Sequence, residues 1–176
     1  MKKAFGFRGL ILFLLALVFV FSPAFIQAET ARAGDIHKIL PERERAQVMN
    51  DWLKWRLDNI IPKLMRREGI DLWLIINREY NEDPVYMSLV PEPVMAARRT
   101  AVLMFHDQGE DKGVQRLSGG YYGMKGWYEG TWEDKSKKQF ESLAETIKKL
   151  DPKKIGINVS PTYRFGDGLT ASLKEK

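Results

Sequence analysis

The chain has 176 residues, a formal net charge of +5, two histidines and no cysteine. The lack of cysteine excludes disulfides and cysteine-bearing metal sites. Lys135, Lys137, Lys138, Lys148, Lys149, Lys153 and Lys154 are interleaved with acids, so they read as solvated helix faces. They are not the one-sided basic patch that nucleic acid requires, and no nucleic-acid partner is expected.

At the N-terminus, Lys2, Lys3 and Arg8 precede an unbroken apolar run, Leu10 to Phe21, followed by Ser22, Pro23 and small residues. A basic start, an apolar middle and a small-residue end predict a secretory signal over residues 1–28, cut after Ala28 or Ala33. The run is shorter than the roughly 18–20 residues of a spanning helix. Membrane contact is therefore expected only through this segment, and the protein is expected to be exported, periplasmic or secreted. Lys2, Lys3 and Arg8 carry three of the positive charges, so cleavage lowers the formal charge from +5 to +2. Residues 34–176 remain, enough for one domain at the usual size of roughly 100–150 residues.

Residues 41–68 carry the first helical pattern, with Leu53, Leu57, Ile60, Ile61 and Leu64 at three- and four-residue spacing. Pro62 removes one backbone donor and predicts a kink, or a restart near residue 61. Gly69 is placed to close the element as a C-cap. Asp71 to Asn77 is a continuous apolar run, as expected of an inner strand covered on both faces. Strands are also predicted over Thr100–Phe105, Val114–Leu117 and Ile155–Asn158, and a second long helix over Lys135–Leu150. Thr170 is placed to cap a further helix, and the chain is expected to stop inside that element, as a fragment would. Helices interleaved with short buried strands predict an α/β layer architecture with a mixed sheet.

The sequence holds no complete catalytic set. Only His37 and His106 are present, without the ligand spacing of a metal centre. Ser118-Gly119-Gly120-Tyr121-Tyr122-Gly123-Met124-Lys125-Gly126 is glycine-rich but matches neither a P-loop nor a dinucleotide fingerprint. Tyr121, Tyr122, Trp127, Tyr128 and Trp132 form the densest aromatic stretch. They offer either a platform for a sugar or peptide ligand or a seal on the edge of the core. Arg98 and Arg99 stand before the second strand, where a guanidinium can fork to a carboxylate. Structural salt bridges to Glu79 or Asp83 are the competing outcome. Asn158-Val159-Ser160 matches the glycosylation sequon but is followed by Pro161.

Three blocks stand in register along the chain: Met65-Arg66-Arg67-Glu68-Gly69-Ile70-Asp71-Leu72-Trp73, then Asn77-Arg78-Glu79-Tyr80-Asn81-Glu82-Asp83-Pro84-Val85-Tyr86, then Asp151 to Ser160 with Asp167-Gly168-Leu169-Thr170. Together they resemble the N-terminal domain of the creatinase/prolidase family. More closely, they look like exported relatives of the Xaa-Pro aminopeptidases. The resemblance runs from about Arg43 to the last residue. It implies an α/β fold, a three-layer mixed β-sheet flanked by helices, often described as ribonuclease H-like.

The resemblance also implies a C-terminal "pita-bread" domain. In peptidase members that domain uses two Asp, one His and two Glu to bind two divalent metals of the manganese or zinc class, which activate water. Creatinase keeps the fold without metal. None of those ligands can be carried onto this chain, so no catalytic residue, metal or cofactor is expected within it. The implied partners are a second copy in a homodimer and the C-terminal domain, with peptide substrate bound only in its presence. Arg78, Tyr80, Asn81, Tyr86 and Arg98 are the substrate-proximal candidates, with Arg78 and Arg98 as candidate carboxylate ligands. The alternative is an independent exported ligand-binding module using residues 121–132.

Overall fold

The computed structural model describes residues 39–161 apart from Tyr122, together with Glu175. The expected signal segment, His37, Tyr122 and the helix expected after Thr170 lie outside the described residues. The chain divides into two compact units between Arg45 and Ala46. The described part of the first unit is the exposed stretch from Ile39 and the opening turn of helix α1, where Arg45 N–H bonds to the Pro41 carbonyl at 2.9 Å.

Helix α1 spans Glu42–Trp55 and helix α2 spans Ile61–Glu68, joined by one π-helical turn over Arg56–Ile60. The cause is Pro62. Its ring would press on the carbonyl of residue 58 in a regular helix, and it has no N–H to donate. The widened turn lets Ile61 N–H reach back to the Arg56 carbonyl. Pro62 then falls in the first turn of α2, where no donor is needed. Gly69 ends α2 in the left-handed region, φ 60°, and Ile70 N–H bonds to the Met65 carbonyl at 2.8 Å. That back-bond satisfies a helix-end carbonyl.

Strand β1 spans Leu72–Arg78, β2 Thr100–Asp107, β3 Val114–Ser118, β4 Glu129–Gly130 and β5 Ile155–Ile157. They form one mixed sheet in the order β4-β3-β2-β1-β5. β1 is antiparallel to β2, with Leu72 opposite His106 and Arg78 opposite Thr100, and β2 is antiparallel to β3. β5 lies parallel to β1 on its other side, with Trp73 opposite Gly156. The Asp71 carboxylate sets that register, accepting the backbone N–H groups of Lys153 and Lys154 at 2.9 Å each.

The sheet is covered on both faces, which explains the continuous apolar run of β1. On one face, Leu53, Leu57, Ile61 and Met65 of the first helices pack with Ile75, Leu103 and Phe105. On the other, Leu143 of helix α4 (Gln139–Leu150) packs with Leu72, Leu74, Ile76, Val102 and Met104. α4 begins four residues later than its periodicity suggests. The Asp134 carboxylate accepts both the backbone N–H and the hydroxyl of Ser136, at 2.9 and 2.6 Å, and holds that stretch as a turn. Two elements carry no periodic signal: helix α3, Pro84–Ser88, and the two-residue β4.

Candidate functional site

The stretch Asn77 to Tyr86 turns the chain out of β1 and back into the core. Asn77 is fully buried, and its Oδ1 accepts the Asp83 backbone N–H at 2.6 Å. Asp83 in turn caps α3: its Oδ1 accepts the Val85 N–H at 2.8 Å, and Pro84 follows in the first turn. Its other oxygen accepts from Asn158 Nδ2 at 2.9 Å, and Asn158 Oδ1 accepts from Trp73 Nε1 at 2.9 Å. The carboxylate therefore ties β1, α3 and the exit of β5 together. Both ends of the Asn158 amide are occupied inside the protein, which suits a structural asparagine rather than a glycan acceptor. A groove of 540 Å³ runs past Trp73, Asp83 and Asn158, with Val85 and Ile157 among its apolar walls.

The two remaining acids of this stretch act on backbone. Glu79 accepts the Arg99 N–H at 2.9 Å, and the Glu79 N–H bonds to the Arg99 carbonyl at 2.7 Å. Glu82 Oε1 accepts the Tyr80 N–H at 3.2 Å and the Ala97 N–H at 3.4 Å. Tyr80 and Arg99 both sit at positive φ, 68° and 56°, a region that costs a non-glycine residue about 1–3 kcal/mol. The Glu79 and Glu82 bonds hold this strained pair of turns at the end where β1 and β2 are joined. Glu79 is thus joined to the backbone of Arg99, the second of the paired arginines.

α3 places Tyr86 on the floor of a cleft of 240 Å³, which Arg98, Ser118, Tyr121 and Met124 also line. Burial, and secondarily the charge of Glu82, push the Tyr86 phenol up to about 12. It stays protonated at neutral pH and is a hydrogen-bond donor, not a base. Among the described lining residues there is no histidine or carboxylate to activate the Ser118 hydroxyl. A neutral phenol and an exposed guanidinium in one cleft suit recognition of a carbonyl or carboxylate.

The five sequence-predicted residues therefore separate. Tyr86 and Arg98 share the cleft, whereas Arg78, Tyr80 and Asn81 form the turn beside it, with Asn81 N–H bonded to the Arg78 carbonyl at 3.1 Å. Ser118 and Met124, which complete the cleft, carry no signal of their own in the sequence. Asp83-Pro84 did carry one, a capping residue followed by proline.

The aromatic stretch also divides. Tyr128 is buried, stands edge-on to Phe105 at 6.0 Å and donates its hydroxyl to the Leu89 carbonyl. Burial raises its phenol strongly, against a smaller opposing effect of Arg116. Trp127 packs on the same core. Tyr121 and Trp132 meet edge-on at 6.4 Å near the surface, with Lys135 Nζ 3.9 Å from the Trp132 ring centre.

Among the described residues, no three of His, Asp or Glu are placed to hold a metal ion. His106 is the penultimate residue of β2, opposite Leu72, with Nδ1 buried and without a partner. No protein-family model, curated protein or solved structure matches this chain.

Proposed function

We propose that this chain is the non-catalytic N-terminal domain of an exported, Xaa-Pro aminopeptidase-like metallopeptidase. It contributes to dimerisation and to the mouth of an active site whose metals and catalytic residues belong to another domain. The observation that carries this is the sheet. β1, β2 and β3 are antiparallel neighbours in chain order, and α4 returns the chain to lay β5 parallel on the far side of β1. A mixed sheet flanked by helices is the arrangement that the creatinase/prolidase resemblance implies, and the finer ribonuclease H-like assignment is part of this proposal.

The cleft supports the same function. Tyr86 and Arg98 give it a donor and a cation, the chemistry for holding a peptide carbonyl or terminus, while its described lining has no base. The alternative of an independent module built on residues 121–132 is less favoured, because Tyr128 and Trp127 are spent on the core. The test is twofold. The reading frame downstream of Lys176 is expected to encode two Asp, one His and two Glu in a second domain. In the protein carrying that domain, Arg98→Ala is expected to raise KM for Xaa-Pro peptides and leave kcat nearly unchanged, the signature of lost binding. A downstream frame without those ligands, or an unchanged KM, would remove the basis for the assignment.

A further inference from the structure

The fold packs two buried tyrosines in the same core cluster and treats their hydroxyls differently. Tyr128, 7% exposed, donates its hydroxyl to the Leu89 carbonyl. Tyr86 is more buried, 3% exposed, yet among the described residues no group takes up its hydroxyl. Buried phenols ordinarily find a partner. Solvent still reaches the Tyr86 oxygen, unlike the sealed and partnerless Nδ1 of His106, and the residue lines the 240 Å³ cleft. Ser118 repeats the pattern from β3. It is 4% exposed and lines the same cleft. Its backbone carbonyl is taken by the Thr131 N–H at 2.9 Å, and its hydroxyl oxygen accepts the Gly120 N–H only at 3.5 Å. The hydroxyl proton of Ser118 has no acceptor among the described residues.

We propose, on the reading of this cleft as part of a substrate mouth, that it binds a small apolar carboxylate, with Tyr86 and Ser118 donating their hydroxyls to the carboxylate oxygens. This narrows the ligand from any peptide carbonyl to a carboxylate, carried by the end residue of a peptide or by a free acid of that size. Three observations select the class. The first is the pair of donors. Two hydroxyls from different elements, both left uncommitted by the fold, call for two acceptor oxygens; a carboxylate presents two and an amide carbonyl one. The second is charge. Arg98 lines the cleft and attracts an anion, while the charge of Glu82 also reaches Tyr86. One cation set against one anion suits a single negative charge and disfavours a phosphate dianion. The third is size. Val94, Ala101 and Met124 give apolar wall, and 240 Å³ lies below the roughly 300–1,000 Å³ of pockets that take drug-sized ligands. The body of the ligand is about one residue.

The experiment is a proton–nitrogen NMR titration of the isotope-labelled full chain with three probes: N-acetylalanylleucine, its C-terminal amide, and 4-methylpentanoate. The amide keeps the shape and removes the charge, and the last probe carries the carboxylate without a peptide bond. The peptide acid is expected to give saturable shifts, with the amide about tenfold weaker or more. Affinity for 4-methylpentanoate equal to that of the peptide acid assigns the site to free acids, and tighter binding of the peptide acid assigns it to peptide ends.

Tyr86→Phe and Ser118→Ala should each weaken the peptide acid by about tenfold. The melting temperature of Tyr86→Phe should stay at the wild-type value, because that hydroxyl bonds nothing among the described residues. Equal affinity for acid and amide would overturn the carboxylate assignment and leave the substrate mouth standing. Shifts that do not saturate, binding unchanged in both variants, or displacement of the acid by equimolar inorganic phosphate would also overturn it. A downstream frame without metal ligands would instead remove the mouth and leave carboxylate binding by this chain intact.

Discussion

The Asp83–Asn158 contact makes the sharpest claim about the stretch that leaves β1: its most buried acid is architecture, not chemistry. Asp83→Asn keeps a capping oxygen for the Val85 N–H, since asparagine caps about as well as aspartate. It turns the other end of the side chain into a donor that faces the Asn158 Nδ2 donor, where 2.9 Å now separates donor from acceptor. One partly buried donor is left without an acceptor, a cost of about 1–3 kcal/mol. Asn158→Asp alone sets two carboxylates against each other and should cost at least as much at neutral pH. Combined, the two substitutions exchange roles. The amide at position 83 donates to the carboxylate at position 158, whose other oxygen still accepts from Trp73 Nε1. The double variant should therefore recover most of the loss, a coupling of about 1–3 kcal/mol. Urea unfolding followed by circular dichroism reads it as two lowered midpoints and one restored midpoint at constant slope. Losses that simply add in the double variant would refute the contact.

Other expectations follow from single contacts. Gly156→Ala places a Cβ 2.7 Å from Ile70 Cδ1 and 3.1 Å from its Cγ2; it should cost about 1–3 kcal/mol, and Ile70→Ala should relieve part of that in the pair. Tyr128→Phe keeps the ring against Phe105 but leaves the Leu89 carbonyl without its donor, for about 1–3 kcal/mol, visible as a lower melting temperature. Asp107 is held below the ordinary 3.8 chiefly by the Arg66 guanidinium, and Asp58 chiefly by its hydrogen bond from Lys54. Both values are depressed by folding. Their contributions are thus complete above pH 3.8 and vanish as pH falls through the lower folded values. Thermal melts taken from pH 6 to 2 should lose stability in that acid window, and Asp107→Asn should flatten the decline.

Much of this fold is legible in the sequence because its signals are local. The apolar runs of β1 and β2, the periodicity of α1 and α4, and Pro62 with Gly69 each act within a few residues of their cause. The elements that escape detection have no such signal. α3 is five residues long, too short for periodicity, and is betrayed only by Asp83-Pro84. β4 is two exposed residues, Glu129 and Gly130, whose pairing with Leu117 and Ser118 is set by the sheet. The cleft divides the same way. Arg98 stands out by its place before β2 and Tyr86 only through the family resemblance, whereas their meeting with Ser118 and Met124 depends on how the chain closes. The Asp83–Asn158 bond joins residues 75 positions apart, and no spacing rule reaches that far.

The central claim is that this domain borders an active site and does not contain one. Steady-state hydrolysis of Xaa-Pro peptides by the purified chain, with manganese or zinc added, tests it most directly. The account predicts no turnover with either metal. Metal-dependent release of the residue preceding proline by this chain alone would contradict it.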